Sequence, residues 1–272
     1  MNIIGIGKIG CSIADRFSAY PQYEVYKIAT NIETTSNSFC INEHGNVEEY
    51  DNYPIKLNFN IDNDLDVFLC GDDTTVACTL RVLENYKQNK IRIFYIKPNY
   101  KFLSETQKLT DRVVYNVLQE YTRSKRFHSM YILDYETIIK MMGKVPLTQV
   151  RSKFSETVCS TVHMINFLEH NEPVMSNYQE TPVTYCLNSI GVMNFEDAKE
   201  NKLFDLDNVR EKRYYYCINE QQLNTDGELF DLITKQIDSK IEENINIMYG
   251  VYSTQFQQNY SYVVYKSPYI QK

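Results

Sequence analysis

The first ten residues place closely spaced glycines between an apolar run and a helix-like segment. Asn2-Ile3-Ile4 leads into Gly5-Ile6-Gly7-Lys8-Ile9-Gly10, and Cys11–Asp15 then has the composition of a helix. Glycines let a backbone approach an anion, and the N–H groups of a helix N-terminus point toward it. The pattern predicts a strand, a phosphate-binding turn and a helix, so valine at Gly7 or Gly10 should abolish ligand binding while leaving the fold largely intact. The simpler alternative is that these glycines only let the helix pack closely on the sheet.

Strands and helices alternate along the first two thirds of the chain. The strand-like runs are 23–30, 55–59, 65–70, 91–96 and 130–133, and the helical segments are about 75–88, 104–121 and 148–170. The second of these helices opens with the capping box Ser104-Glu105-Thr106-Gln107 and has one apolar stripe. The stripe consists of Leu109, Val113, Val117 and Tyr121. Strands separated by helices of this length predict an α/β fold with a doubly wound, mostly parallel sheet.

The last third of the chain has a different sequence pattern, rich in strand-like and loop-like segments. Strand-like pieces lie at 183–187 and 214–218, an apolar helix stripe follows at 229–241, and 261–266 has the pattern of a terminal strand. We therefore divide the chain into a nucleotide-binding-like domain (1–147), a long central helix (148–172) and a smaller C-terminal α/β domain (173–272).

Composition argues against several classes of protein. A net charge of −7 does not favour general nucleic-acid binding, which requires a basic face, and the basic run 123–126 is interpreted as a solvated loop. No stretch approaches the roughly 18 apolar residues of a membrane span, and no leader precedes the first strand. Seven scattered cysteines without a Cys-x-x-Cys pair predict reduced thiols and a cytoplasmic location.

The order of these parts resembles the tubulin/FtsZ superfamily, and the small size is more like a divergent bacterial or phage-encoded relative. Five segments are similar to family motifs in the correct order. They are the first phosphate loop at 5–14, the Asn-Thr-Asp after the second strand at 31–33, the Lys-Pro-Phe segment at 97–98 before the helix start at Glu105, the Asp-Asn-Glu-x-Leu segment at 133–138 and the Ala-Asn-Ile-Ile-x-Gly strand at 244–250.

The resemblance implies a GTP site with Mg²⁺, self-association into a filament, and hydrolysis that a neighbouring subunit completes. It places the cofactor-binding residues at Gly5, Gly7, Lys8, Gly10, Cys11, Ser12, Asn31, Gly71, Asp72, Asp73, Thr74, Thr75, Glu105, Tyr135 and Phe154. Phe154 is the aromatic residue suited to stacking on a base.

The second phosphate loop departs from the family pattern. The family's Gly-Gly-Gly-Thr-Gly-Ser/Thr-Gly falls on 71–77, which keeps Gly71 and gains Asp72 and Asp73. Carboxylates repel phosphates unless a cation lies between them, so these two aspartates are the candidate Mg²⁺ ligands. A helix N-cap by Asp73 or Thr74 is the alternative.

The base-reading and catalytic positions also depart from the family. Val158 stands where an Asn or Asp would read guanine, and a valine cannot hydrogen-bond. The activating acids of the family are replaced by 171–177, where Glu172 is the candidate catalytic residue. The sequence therefore predicts a self-associating or partner-binding protein with a degenerate GTP site and weak or absent hydrolysis.

Two alternatives from other functional classes stay open at this point. A Rossmann-type dinucleotide-binding oxidoreductase requires an acid at the end of the second strand, but that strand ends at Ala29-Thr30-Asn31, with Glu33 two residues further on. The other alternative is a non-enzymatic interaction module that kept the fold and lost the ligand.

Overall fold

The computed structural model describes residues 1–42, 44, 47–52, 55–62 and 64–272, and the chain divides into two compact units, 1–162 and 163–272. The first unit consists of β1 (Asn2–Ile6), α1 (Gly7–Phe17), β2 (Glu24–Ala29), β3 (Ser38–Cys40), α2 (Val47–Asn52), β4 (Leu65–Cys70), α3 (Thr79–Leu83), β5 (Ile91–Lys97), α4 (Glu105–Arg123), β6 (Ser129–Asp134), α5 (Tyr135–Met142) and most of α6 (Val150–Glu169). The division into domains at 147 and 172 stays a prediction.

The strands described in the first unit form a parallel sheet in the order β3-β2-β1-β4-β5-β6. Its central strands β4 and β5 are almost entirely buried, as expected for parallel strands covered on both faces. The buried Asp66 carboxylate on β4 is paired with the Arg92 guanidinium on β5, at 2.7 Å from Nε to Oδ1. The predicted α/β fold with a mostly parallel sheet is confirmed.

The second unit contains the end of α6, followed by shorter elements. These are β7 (Met175–Ser176), β8 (Leu187–Met193), β9 (Glu200–Lys202), β10 (Glu211–Asn219), α7 (Glu220–Thr225), α8 (Leu229–Asp238), β11 (Asn246–Thr254) and β12 (Tyr260–Ser267). The strand order is β8-β12-β10-β11-β7, with β9 paired to β8. β10 and β11 are parallel, and the other described pairings are antiparallel.

The prediction of one continuous helix over 75–88 is wrong. The structure has a 3-10 turn at Thr74–Cys78, the five-residue α3, and another 3-10 turn at Glu84–Tyr86. The run begins with Thr74, Thr75 and Val76, whose β-branched side chains lower helix propensity.

Two strand predictions also need correction. Residues 55–59 have no regular secondary structure, although Ile55 and Phe59 are buried and the Phe59 ring lies 4.9 Å from the Tyr26 ring. β2 is already paired with β1 and β3, so this segment packs through side chains instead of a ladder. The strand predicted over 183–187 begins only at Leu187.

The apolar stripe of α4 faces outward. An amphipathic helix normally buries its apolar stripe, yet Leu109, Val113 and Tyr121 are exposed and Val117 is partly exposed. The buried face of α4 instead consists of Thr110, Asp111, Val114, Tyr115, Leu118, Gln119 and Thr122. Val114, Tyr115 and Leu118 form a second apolar stripe, and this second stripe packs against the rest of the first unit.

Candidate functional site

The glycine turn joins β1 directly to α1. β1 ends at Ile6, and α1 begins at Gly7, whose φ of +73° favours glycine. Lys8, the second residue of the helix, is exposed. The first N–H groups of an α-helix have no partner inside the helix, so this end of α1 is suited to an anion.

The other two glycines serve close packing. A Cβ at Gly10 would lie 2.2 Å from the Phe68 carbonyl oxygen on β4, and a Cβ at Gly5 would lie 2.4 Å from the Gly10 carbonyl oxygen. The packing alternative therefore holds for Gly5 and Gly10. The expectation that valine at Gly10 leaves the fold intact is wrong, because a side chain there meets backbone that cannot rotate away.

A carboxylate of the chain itself lies at the N-terminus of α1. Asp73 Oδ2 accepts the Lys8 N–H at 3.0 Å, and a Cβ at Gly7 would lie 3.0 Å from the same oxygen. Asp73 Oδ1 accepts the Thr75 N–H at 2.9 Å, which makes Asp73 the N-cap of the 3-10 turn at Thr74–Cys78. The capping alternative is confirmed for Asp73. Its negative charge lies where the helix dipole and a free N–H favour an anion.

Asp72 lies beside this contact in a partly buried position. Its Oδ1 is buried and has no hydrogen-bond partner among the described residues. Burial raises the pKa of the Asp72 carboxyl above its usual value, a hydrogen bond from the Cys70 thiol opposes this shift, the neighbouring Asp73 charge adds to it, and the Arg151 charge opposes it. The Asp72 carbonyl oxygen accepts the Gln107 side-chain amide at 2.6 Å. The loop is therefore held in place at both the backbone and the cap.

The two loop aspartates do not form a prepared metal centre. Within the described residues, no group of three or more His, Cys, Asp or Glu side chains is arranged to hold a metal ion. Both oxygens of Asp73 already accept backbone N–H groups. Mg²⁺ is usually held by one or two carboxylates together with substrate phosphates, so Asp72 and Asp73 fit such an ion only when a phosphate is also bound.

A buried polar cluster lies directly behind Gly71, and sequence reasoning missed it. Asp111 on α4 accepts the Tyr95 hydroxyl at 2.6 Å and also the Tyr100 hydroxyl, and Lys97 Nζ lies 3.7 Å away. A Cβ at Gly71 would lie 2.0 Å from Asp111 Oδ1, so the glycine is required by packing against this cluster. Burial lowers the pKa of Lys97, and the Asp111 charge opposes this shift.

Phe154, Tyr135 and Ser12 lie on neighbouring elements. Phe154 on α6 is fully buried, and its ring lies 4.6 Å from that of Tyr135, which is partly exposed. Ser12 Oγ on α1 lies 2.8 Å from Ser155 Oγ on α6. Of these two aromatic residues only Tyr135 is partly exposed, and Phe154 is covered.

The remaining predicted residues lie on several different elements. The buried Cys11 thiol donates to the Gly5 carbonyl oxygen at 3.3 Å, and burial raises its pKa to about 12. Asn31 is exposed with φ of 57°, and Glu105 is exposed and paired with Lys108 at 2.8 Å. Glu172 is exposed in the second unit, after α6.

None of the helices that the structure describes combines the length and apolar composition of a membrane span. Neither a family model nor a curated protein matches the sequence. Solved structures do match over almost the whole chain.

Three of these structures illustrate the likeness. A GTPγS-form protofilament of TubZ from Bacillus thuringiensis serovar israelensis matches with a TM-score of 0.71 and 10% identity, covering 97% of this chain and 86% of that one. An FtsZ dimer from M. jannaschii matches with a TM-score of 0.66 and 13% identity, covering 98% and 87%. A helical model of the TubZ-Bt two-stranded filament matches with a TM-score of 0.66 and 11% identity, covering 97% of this chain and 83% of that one. The expected tubulin/FtsZ-superfamily fold is confirmed.

Proposed function

We propose that this chain, which has the tubulin/FtsZ fold, is a self-associating protein with a degenerate GTP site and weak or absent GTP hydrolysis. The observation that supports this most is the contact between Asp73 Oδ2 and the Lys8 N–H at the start of α1. In the family that the sequence resembles, the first loop holds phosphate. Here a phosphate group has to displace a carboxylate that belongs to the chain.

The cost of this competition is electrostatic. Two like unit charges about 4 Å apart repel by about 4 kcal/mol at an effective dielectric constant of about 20, which is about a thousandfold in affinity. Asp73 is partly exposed, so solvent screening reduces this figure. A Mg²⁺ ion between phosphate and carboxylate would lower it further. We therefore expect that any GTP binding by the native protein is weak and depends on Mg²⁺.

The residues at the positions predicted to contact the nucleotide base support the same proposal. Val158 is buried and has no group that reads guanine, and Phe154 lies beneath Tyr135. A bound base would stack on the partly exposed Tyr135 ring. Stacking tolerates any base, so little selectivity for GTP over ATP is expected.

Self-association is proposed from the kind of structures that the fold matches. The TubZ relatives are solved as protofilaments and as two- and four-stranded filaments. The proposed cytoplasmic location rests on the cysteines, all of which are free thiols. The Rossmann-type oxidoreductase is not favoured, because the matched structures are TubZ and FtsZ and because the exposed Asn31 follows β2 where an acid would hold a ribose.

Phosphate release tests the catalytic part of the proposal. The native protein with GTP and Mg²⁺ is expected to release no phosphate above a protein-free blank, because Asp73 opposes phosphate binding and 171–177 lacks the spaced acids of the family. A colorimetric phosphate assay over increasing protein concentration measures this, with Glu172→Gln as the matched variant. Release that rises with concentration and is lost in Glu172→Gln would contradict the proposal and identify Glu172 as a catalytic residue.

A further inference from the structure

The outward stripe of α4 is a surface that neither the fold nor the glycine turn explains. Leu109, Val113 and Tyr121 are 58%, 51% and 42% exposed, and Val117 completes the row. At 1.5 Å per residue the row extends about 18 Å along the helix. We call these four residues the α4 stripe. Solvent-facing apolar rows of this kind mark interaction sites on soluble proteins.

The stripe ends at a cavity of about 220 Å³. Its lining combines apolar and charged residues, and Tyr121 belongs to both the stripe and the cavity. The lining residues are Leu80, Leu83, Glu84, Lys87, Ile91, Tyr121, Arg126 and Phe127. Small-molecule sites typically measure about 300–1,000 Å³, so this cavity is better suited to one large side chain of a partner.

The surroundings of the cavity are basic, although the chain as a whole carries a net charge of −7. Lys87 and Arg126 line it, Arg123 is the last residue of α4, and the turn that follows adds Lys125. The sequence from 121 to 133 contains no acidic residue. The nearby acids are themselves paired, Glu84 with Arg81 at 3.3 Å and Glu120 with Arg123 at 2.8 Å.

We propose that the α4 stripe and this cavity bind an acidic amphipathic helix of another protein. The apolar side of that helix lies along the stripe, because rows of residues spaced four apart pack against similar rows on a second helix. One large apolar side chain of the partner fills the cavity. Its acidic residues face Lys87, Lys125 and Arg126. This docking surface shares no residue with the glycine turn or with the residues predicted for the GTP site.

A pair of designed peptides tests the proposal on the full chain. The acidic probe is a peptide of about 18 residues, long enough to form a helix, with Leu on one face and Glu on the other. The matched probe has Lys in place of every Glu. By fluorescence anisotropy, the acidic peptide is expected to bind at least about tenfold more tightly than the lysine peptide. Arg126→Glu is expected to reduce or reverse this preference.

Variants of the chain locate the binding surface. Val113→Glu is expected to weaken binding of the acidic peptide by about tenfold or more, because it places a like charge in the middle of the stripe. Leu147→Glu is the matched control, since Leu147 is 90% exposed and lies outside α4. Its affinity for the peptide should equal that of the native protein. Circular dichroism establishes that both variants remain folded.

Three outcomes would overturn the proposal. Equal affinity for the acidic and the lysine peptide would show that charge plays no part in binding. Equal loss in Val113→Glu and Leu147→Glu would place the peptide elsewhere. A native chain that ignores the acidic peptide, but whose self-association measured by sedimentation is abolished by Val113→Glu, would assign the stripe to a second copy of this chain.

Discussion

GTP affinity is expected to rise by about a hundredfold when both loop aspartates are replaced, Asp72→Gly together with Asp73→Gly. The replacement removes two negative charges beside the phosphate position and frees the Lys8 N–H at the start of α1. The repulsion between one carboxylate and one phosphate charge is about 4 kcal/mol before solvent screening, which corresponds to about a thousandfold in affinity. Solvent screening lowers the expected gain in affinity to about a hundredfold. Isothermal titration calorimetry of native and double-glycine protein with GTP and Mg²⁺ measures the difference.

Asp73→Asn is the matched control for the electrostatic argument. An asparagine side chain retains an oxygen that caps the 3-10 turn, but it carries no charge. If charge is the obstacle, this single change should already increase GTP affinity by about tenfold. If the increase appears only in the double-glycine variant, the obstacle is the bulk of the Asp73 side chain or the Asp72 carboxylate, and not the charge of Asp73.

The metal dependence of GTP binding is a second test of the role of the two loop aspartates. Any GTP affinity of the native protein is expected to vanish in EDTA, because a cation must lie between the phosphates and the aspartates. The affinity of the double-glycine variant should persist in EDTA. Tight GTP binding by the native protein without metal would contradict the account of this loop, as would a double-glycine variant with no gain.

Gly10→Ala is expected to destabilise the protein by about 3 kcal/mol or more. Overpacking usually costs about 1–3 kcal/mol, and a Cβ only 2.2 Å from the Phe68 carbonyl oxygen requires α1 or β4 to move. Urea denaturation followed by circular dichroism measures the free energy of unfolding. Gly227→Ala is the matched control, since a Cβ there meets nothing within 4 Å and should change stability by less than about 0.5 kcal/mol. Equal stability of the two variants would contradict the packing role of Gly10.

Much of the fold follows from local sequence signals. The glycine turn joins a strand to a helix as predicted, and the capping box at Ser104 and Gln107 is formed at the start of α4. The strand-like runs at 65–70 and 91–96 are buried parallel strands. The predicted helix at 148–170 is α6, Val150–Glu169. These elements are specified by residues close together in the chain, so periodicity and capping are sufficient to find them.

The features that decide the site depend on distant contacts. Lys8 and Asp73 are 65 residues apart, and no local pattern indicates that the carboxylate lies at the start of α1. The same limit applies to Gly10, whose neighbour Phe68 is on another strand. In α4 the sequence contains two apolar stripes, one through Leu109 and Val113 and one through Val114 and Leu118. Periodicity alone does not choose between them, and the pairing of Asp111 with Tyr95 fixes the second stripe inward.

Sedimentation velocity of the native protein tests the central proposal most directly, which is that this chain self-associates although its GTP site is degenerate. Samples over a range of protein concentrations are compared without nucleotide, with GTP and Mg²⁺, and with GTP and EDTA. We expect assembly that increases with protein concentration and is the same in all three conditions, because Asp73 supplies the anion at the start of α1. Assembly that appears only with GTP and Mg²⁺, or no assembly in any condition, would contradict the account.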